Sequence, residues 1–394
     1  MIAKLNETLH MMKILPVFLF LLVFQLPLHA DEPIDPVGKV RTLPAEYPDH
    51  WIYAHDVAFG NMLNGRLIVL DAEEDAHRPQ YKGMLNTSLI AGVAIARTRP
   101  EIYVYESFYS RGTRGTPTDV LTIWDKTTLS VIDEVVIPGA KRAGQLPSDF
   151  WVTLIDNEEL LLLFNFTPAT SVTVVDTAKR EILNEIDLPG CSLMYPTGKR
   201  GFSAMCGDAS MMSYQLDANG KVINEARVPS FFDIDKDALF ERPAIIDGVA
   251  YFPTFLGNVR EVDMTGARAV PGDEWSMLTA EEKKQNWRPG GMNLNDADSL
   301  GHMYILMHPD GAEGTHKYPG AEIWVYDVKQ RKRVKKIPLK LPALTVEVSE
   351  DKSPWLFATN VEMNIDVYDA LTGEYIKTLS DFGQETPLIL FSAN

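Results

Sequence analysis

Histidines, two cysteines and a few arginines in glycine-rich stretches are the side chains of this 394-residue chain whose types and spacing could do chemistry. His308 and His316 share one loop, His308-Pro309-Asp310-Gly311-Ala312-Glu313-Gly314-Thr315-His316-Lys317, in which two imidazoles and two carboxylates could face a cation. The spacing fits no standard ligand set, and Pro and Gly suit a shaped surface loop, so no metal is expected here. The segment Ser107-Phe108-Tyr109-Ser110-Arg111-Gly112-Thr113-Arg114-Gly115 sets two guanidinium groups among glycines. Arg111, Arg114, His308 and His316 are read as candidates for contact with a partner. The remaining histidines after residue 30 are His50, His55, His77 and His302. Signatures of nucleophilic, zinc-hydrolytic and nucleotide chemistry are missing: there is no GxSxG, HExxH, Walker loop or GxGxxG behind a strand. No catalytic residue is assigned. A chain of this kind either binds something or works beside another chain that carries the chemistry.

Cys191 and Cys206 are the only cysteines, and they flank the turn-forming Tyr195-Pro196-Thr197-Gly198. No histidine lies near them and they form no CxxC, which favours a disulfide across two adjacent strands over a metal or redox site. An oxidising compartment agrees with the N-terminus. Lys4 and Lys13 precede or open an apolar run from Ile14 to Phe24, and Leu28-His29-Ala30 offers a small residue for cleavage. Residues 1–30 are read as a signal peptide cleaved near Ala30. The run is short for a spanning helix, and Pro16 and Pro27 interrupt it, so no membrane attachment is expected after cleavage. The formal charge of −17 argues against nucleic acid, whose binding needs basic surface.

The elements that must carry these residues repeat along the chain. Short apolar strands end in an aspartate, a turn and another strand, as in Leu121-Thr122-Ile123-Trp124-Asp125 and Ile365-Asp366-Val367-Tyr368-Asp369. Seven aspartates mark the series: Asp71, Asp125, Asp176, Asp217, Asp263, Asp327 and Asp369, spaced 41 to 64 residues apart. A four-stranded propeller blade needs about 40–50 residues, so the expectation is an all-β, seven-bladed propeller over residues 61–394 behind an N-terminal arm at 31–60. The aspartates are read as structural, each carboxylate accepting backbone N–H groups of the following turn. One helix is expected at 274–287, opened by a capping box between Thr279 and Glu282 and stopped by Arg288-Pro289-Gly290-Gly291.

Several segments together resemble the heavy subunit of quinoprotein amine dehydrogenases, above all the aromatic amine dehydrogenases, with methylamine dehydrogenase heavy chains also similar. They are Trp287-Arg288-Pro289-Gly290-Gly291, Met303 to Gly311, Glu313 to Lys317, Ala321 to Asp327, Ser110 to Gly115, Pro168-Ala169-Thr170-Ser171, and Cys191 to Asp208. The resemblance implies a periplasmic heterotetramer of two heavy and two light subunits. It implies that tryptophan tryptophylquinone sits on a small cysteine-rich light subunit, with no cofactor on this chain. It further implies oxidation of a primary amine to aldehyde and ammonia, with electrons passed to a small blue-copper protein. A channel-lining Phe of methylamine dehydrogenases falls on Gly83-Met84-Leu85-Asn86, which makes Met84, Leu85 and Asn86 candidates for the substrate channel. Two other readings stay open: a stand-alone exported propeller with metal-dependent lactonase-like activity, and a non-enzymatic binding scaffold.

Overall fold

A computed structural model describes residues 42–60, 64–75, 80–141 and 148–393, within the compact unit Thr42–Asn394. Residues 1–41, which hold the expected signal peptide and the first part of the expected arm, and His77 lie outside the described residues. Among the described residues no helix is long and apolar enough to cross a membrane.

The fold is an all-β propeller. Each four-stranded sheet is antiparallel, and its strands follow one another outward from a central cavity. The two middle strands are apolar on both faces because a neighbouring sheet covers each side. Leu160–Asn165 is buried at every position, and so are Leu67 to Asp71 of Asn64–Asp71. Such strands read as continuous apolar runs rather than alternations. The outermost strands face water; Val131–Ile137 and Val222–Val228 are exposed or half-buried except at their last residue. The apolar core is therefore a series of layers between sheets.

The ring closes on itself. Trp51–Asp56 pairs on one side with Asn64–Asp71 and on the other with the C-terminal strand Pro387–Ser392, in register Ile52 to Ser392 and Ala54 to Leu390. Trp51–Asp56 thus belongs to the first sheet, and the propeller includes residues that the sequence pattern assigned to an arm.

The separation into sheets differs from the expected seven. Five separate four-stranded blades are present, together with one sheet of eight strands covering 288–379. The cause is Lys332–Val348, a strand of 17 residues that never breaks. Its first part pairs with Gly320–Asp327 and its last part with Trp355–Asn360, so Ala343 faces both Gly320 and Asn360.

All seven repeat aspartates accept backbone N–H groups of the turns that follow them. Asp71 takes that of Glu73, Asp125 those of Thr127 and Thr128, and Asp176 those of Ala178 and Lys179. Asp217 takes those of Asn219 and Lys221, Asp263 that of Thr265, Asp327 that of Gln330 and Asp369 that of Thr372. Hydrogen bonds from Thr127 and Thr265 hold Asp125 and Asp263 below the usual carboxylate range.

The expected helix is shorter than the pattern suggested. It spans Ala280–Lys284, and Val270–Ser276 is strand. Thr279 is the N-cap, its hydroxyl accepting from Glu282 N while the Glu282 carboxylate accepts from Thr279 N at 2.9 Å. The capping box fixes the first turn after Thr279, and cross-strand pairing of Glu274 with Arg260 and Trp275 with Val259 claims the residues before it. Arg333 and Lys336 each reach the Glu282 carboxylate at 2.8 Å and lie over the face of Trp324. Although burial opposes its ionisation, these two cations hold Glu282 down at about 2.

Cys191 and Cys206 form a disulfide between register partners of adjacent strands, Cys191–Pro196 and Gly201–Cys206. The bridge closes a hairpin with a sequence separation of 15. The double variant Cys191→Ser, Cys206→Ser is expected to lose about 3 kcal/mol of stability by chain entropy alone. Denaturant midpoints of the oxidised wild type and the variant check this, and coincident midpoints would contradict it.

Candidate functional site

The proposed channel residues lie on Tyr81–Ser88, the outermost strand of the closing sheet. Met84 is 42% exposed and Asn86 is exposed, but Leu85 is only 2% exposed and packs with Trp51 and Leu67. Alternation along the strand turns Leu85 into the core, so it does not line an open channel from this face. A Cβ at Gly83 would stand 2.6 Å from Leu129 Cδ1 of the next sheet, so glycine is what lets the two sheets approach there.

Arg111 and Arg114 are register partners at the tip of the hairpin built by Glu101–Arg111 and Arg114–Asp125, and both are exposed. Both strands exceed their neighbours Gly92–Ile95 and Val131–Ile137 in length, which carries the tip beyond the sheet. His316 is exposed on the short 3-10 turn Thr315–Lys317. His308 is different: it is 4% exposed, ends strand His302–His308, and its Nδ1–H donates to Pro309 O at 3.0 Å. Its ring fills the space left by Gly290, where a Cβ would come within 2.7 Å of it. His308 therefore packs under the loop and is not available as a surface contact. The loop does not gather its four candidate ligands, since Glu313 and His316 are exposed while His308 is buried. Arg288 lies over the Phe255 ring at 4.8 Å and donates to Phe255 O, and Asp208 caps the turn to Ser210.

The pattern of motifs gave no hint of the central cavity. It measures about 260 Å³ and is lined by residues of the inner strands of several sheets, among them Val93, Val152, Glu347 and Ser392. Carboxylates collect around it. Asp149 lines the cavity near Arg242; burial raises it while the guanidinium draws it down. Glu347 lines it as well, its Oε1 accepting from Ser392 N, and burial together with Asp296 and Asp149 pushes it well up. Asp296 accepts from Val348 N at 2.7 Å, and burial raises it to about 7. At one side of the cavity Arg97 forms a two-pronged pair with Glu350. Asp149, Asp296 and Glu347 come from different connections or strands, each more than 50 residues from the next in the chain, so no local motif announces the group. The only local trace is an acid set among apolar neighbours, as in Val346-Glu347-Val348. Burial favours the protonated forms of Asp149, Asp296 and Glu347. Among the described residues no cysteine or histidine lines the cavity beside these carboxylates.

The raised carboxyl makes a pH prediction. Native Asp296 keeps its proton up to about 7, whereas an unfolded aspartate releases it at about 4. Between those values the unfolded state binds fewer protons, so stability falls as pH rises, and the loss is complete above about 7. Asp296→Asn keeps an acceptor for Val348 N and cannot ionise. It is expected to equal wild type at pH 4 and to exceed it by on the order of 1–2 kcal/mol at pH 8. Denaturation midpoints at the two pH values check this; a variant that is no more stable at pH 8 contradicts it.

Comparison with known proteins agrees with the fold and adds a family. Two solved structures share the architecture. A Bacteroides fragilis protein solved under the name 6-phosphogluconolactonase superposes with a TM-score of 0.59 at 11% identity, covering 90% of this chain and 98% of that one. The dihydro-heme d1 dehydrogenase NirN superposes at 0.53 with 14% identity, covering 89% and 78%. At such identities they speak for the fold alone. In sequence, the methylamine dehydrogenase heavy chain of Methylorubrum extorquens is 28% identical over 292 residues, 72% of this chain and 70% of that one. That of Methylophilus methylotrophus is 25% identical over 324 residues, covering 81% and 79%. That of Paracoccus versutus is 25% identical over 365 residues, covering 91% and 82%. Residues 52–393 match the family described as Methylamine dehydrogenase heavy chain (MADH), and the chain belongs to that family.

Proposed function

We propose that this chain is the heavy subunit of a periplasmic amine dehydrogenase whose chemistry resides on a light subunit. The observation that carries the reading is the family match along 52–393, nearly the whole described propeller. The central carboxylates are compatible with it, because each is held by a backbone N–H or faces a cation, as structural acids are. In this reading the sheet of eight strands counts as two blades that share Lys332–Val348, which makes seven around the ring. Residues 1–30 direct export, and two heavy and two light subunits assemble. Tryptophan tryptophylquinone on the light subunit supplies the oxidation of a primary, aralkyl amine to aldehyde and ammonia. A small blue-copper protein takes the electrons.

This chain contributes a rigid support and part of the channel wall. Met84 and Asn86 would form the wall, with Leu85 anchoring the strand from behind. A flexible thioether in place of a rigid ring leaves room for bulkier amines, which is the basis for the aralkyl assignment. The carboxylates of the cavity are the feature that favours a stand-alone propeller enzyme, and the same experiment separates the two readings. The purified chain alone is expected to turn over neither tyramine nor methylamine, and the chain co-produced with its light subunit is expected to oxidise at least one. Activity of the lone chain would overturn the assignment. In the assembled enzyme Met84→Ala is expected to change the kcat/KM ratio between tyramine and methylamine by about tenfold. The exposed position predicts a change in stability of less than about 0.5 kcal/mol. An unchanged ratio with lowered stability would assign Met84 to packing instead.

A further inference from the structure

Exposed apolar side chains are distributed unevenly between the two faces of the propeller. In each antiparallel sheet the turn between the second and third strands lies at the same end as the connection that brings the chain to the innermost strand. Hydrogen bonds tie these pairs together: Phe59 N to Thr386 Oγ1, Phe166 N to Lys141 O, Phe255 N to Ala238 O and Val361 N to Pro342 O. His316 O likewise accepts from Gly291 N. These turns therefore share one face. Among the described residues that face carries Phe59, Phe108, Phe166, Leu256, Tyr318 and Val361, all between 39% and 57% exposed. Among the described residues the turns of the opposite face carry, of the large exposed apolar side chains, only Leu300 and Leu371.

We infer that this second-to-third-strand face is where the light subunit docks. The inference rests on the heavy-subunit reading and adds the surface to it. A tight turn has no fold-level need for a large exposed apolar side chain, and five of the sheets supply at least one on this face. Monomeric proteins rarely gather exposed apolar groups on one side, and such a distribution marks an interaction site. The face also has the anatomy of a protein interface. Between Leu239-Phe240 and the loop at Glu313 to His316 lies a cleft of about 280 Å³, floored by Phe255. A cleft of that kind accepts an anchoring side chain of a partner. The projecting hairpin places Arg111 and Arg114 over the same face, on a chain whose net charge is −17. An anionic lipid surface would be repelled by that overall charge, which leaves a protein as the occupant. The light subunit is the partner that the heavy-chain family implies.

The test uses the full chain co-produced with its own light subunit. Phe166→Asp and Tyr318→Asp alter the proposed face, and Leu300→Asp and Leu371→Asp alter the opposite one. All four sites are exposed turns, and matching melting curves of the isolated chains establish that the fold is kept. The first pair is expected to retain light subunit at least about tenfold more weakly than wild type, and the second pair to retain it as wild type does. Light subunit lost from the second pair, or retained by all four variants, overturns the docking face while leaving the heavy-subunit reading in place. A wild-type chain that binds no light subunit overturns both. A lone chain that sediments as a dimer, and as a monomer once Phe166→Asp is introduced, assigns the face to a second copy and also overturns the proposal.

Discussion

Ring closure is the constraint on which everything else depends. A circle of sheets has no stable beginning, and the strand at each end would be left with open hydrogen-bonding groups. Here the chain solves this by giving the first sheet an inner strand from its own C-terminus, Pro387–Ser392, beside Trp51–Asp56. Asp56 fastens the junction. Its buried carboxylate accepts from Ala58 N, Glu385 N and Thr386 N, and Arg66 lies 3.6 Å away. Three backbone N–H groups from both ends of the chain meet at one carboxylate, so the closure is specific in register as well as apolar. Every inter-sheet layer presses on its two neighbours, and an open ring would expose apolar surface at both broken ends.

What the sequence made legible follows from how local each signal is. The aspartate turns were readable because each carboxylate bonds N–H groups two to four residues onward. The disulfide was readable because its partners flank one turn. The separation into sheets was less so. A run such as Lys332 to Val348 shows where strands lie but not that a single strand serves two partners, since pairing is a long-range property. The helix was placed correctly by its capping box and overextended at its start, because cross-strand pairing outweighed helix preference in Glu274 and Trp275.

The candidate site was the least legible part. Met84 and Leu85 are adjacent in sequence, yet one faces water and the other the core, a distinction that depends on strand register. His308 and His316 share a loop, but the end of a strand buries the first and a 3-10 turn exposes the second. The cavity carboxylates were invisible, since Asp149, Asp296 and Glu347 meet only when the inner strands of distant sheets surround one axis.

That central group also bears on where chemistry can happen. Burying several acids around one axis costs stability unless protons or cations neutralise them. The structure uses both means. Arg242 faces Asp149, Arg97 pairs with Glu350, and burial pushes Asp296 and Glu347 toward their protonated forms. A carboxylate held by a guanidinium is a poor base, whereas a carboxyl raised to about 7, as Asp296 is, can exchange its proton near neutral pH. The axis thus balances its acids within the propeller, while exposed apolar side chains collect on the face of the second-to-third-strand turns. A propeller that neutralises its own axis and gathers apolar side chains on one face is suited to holding a second chain.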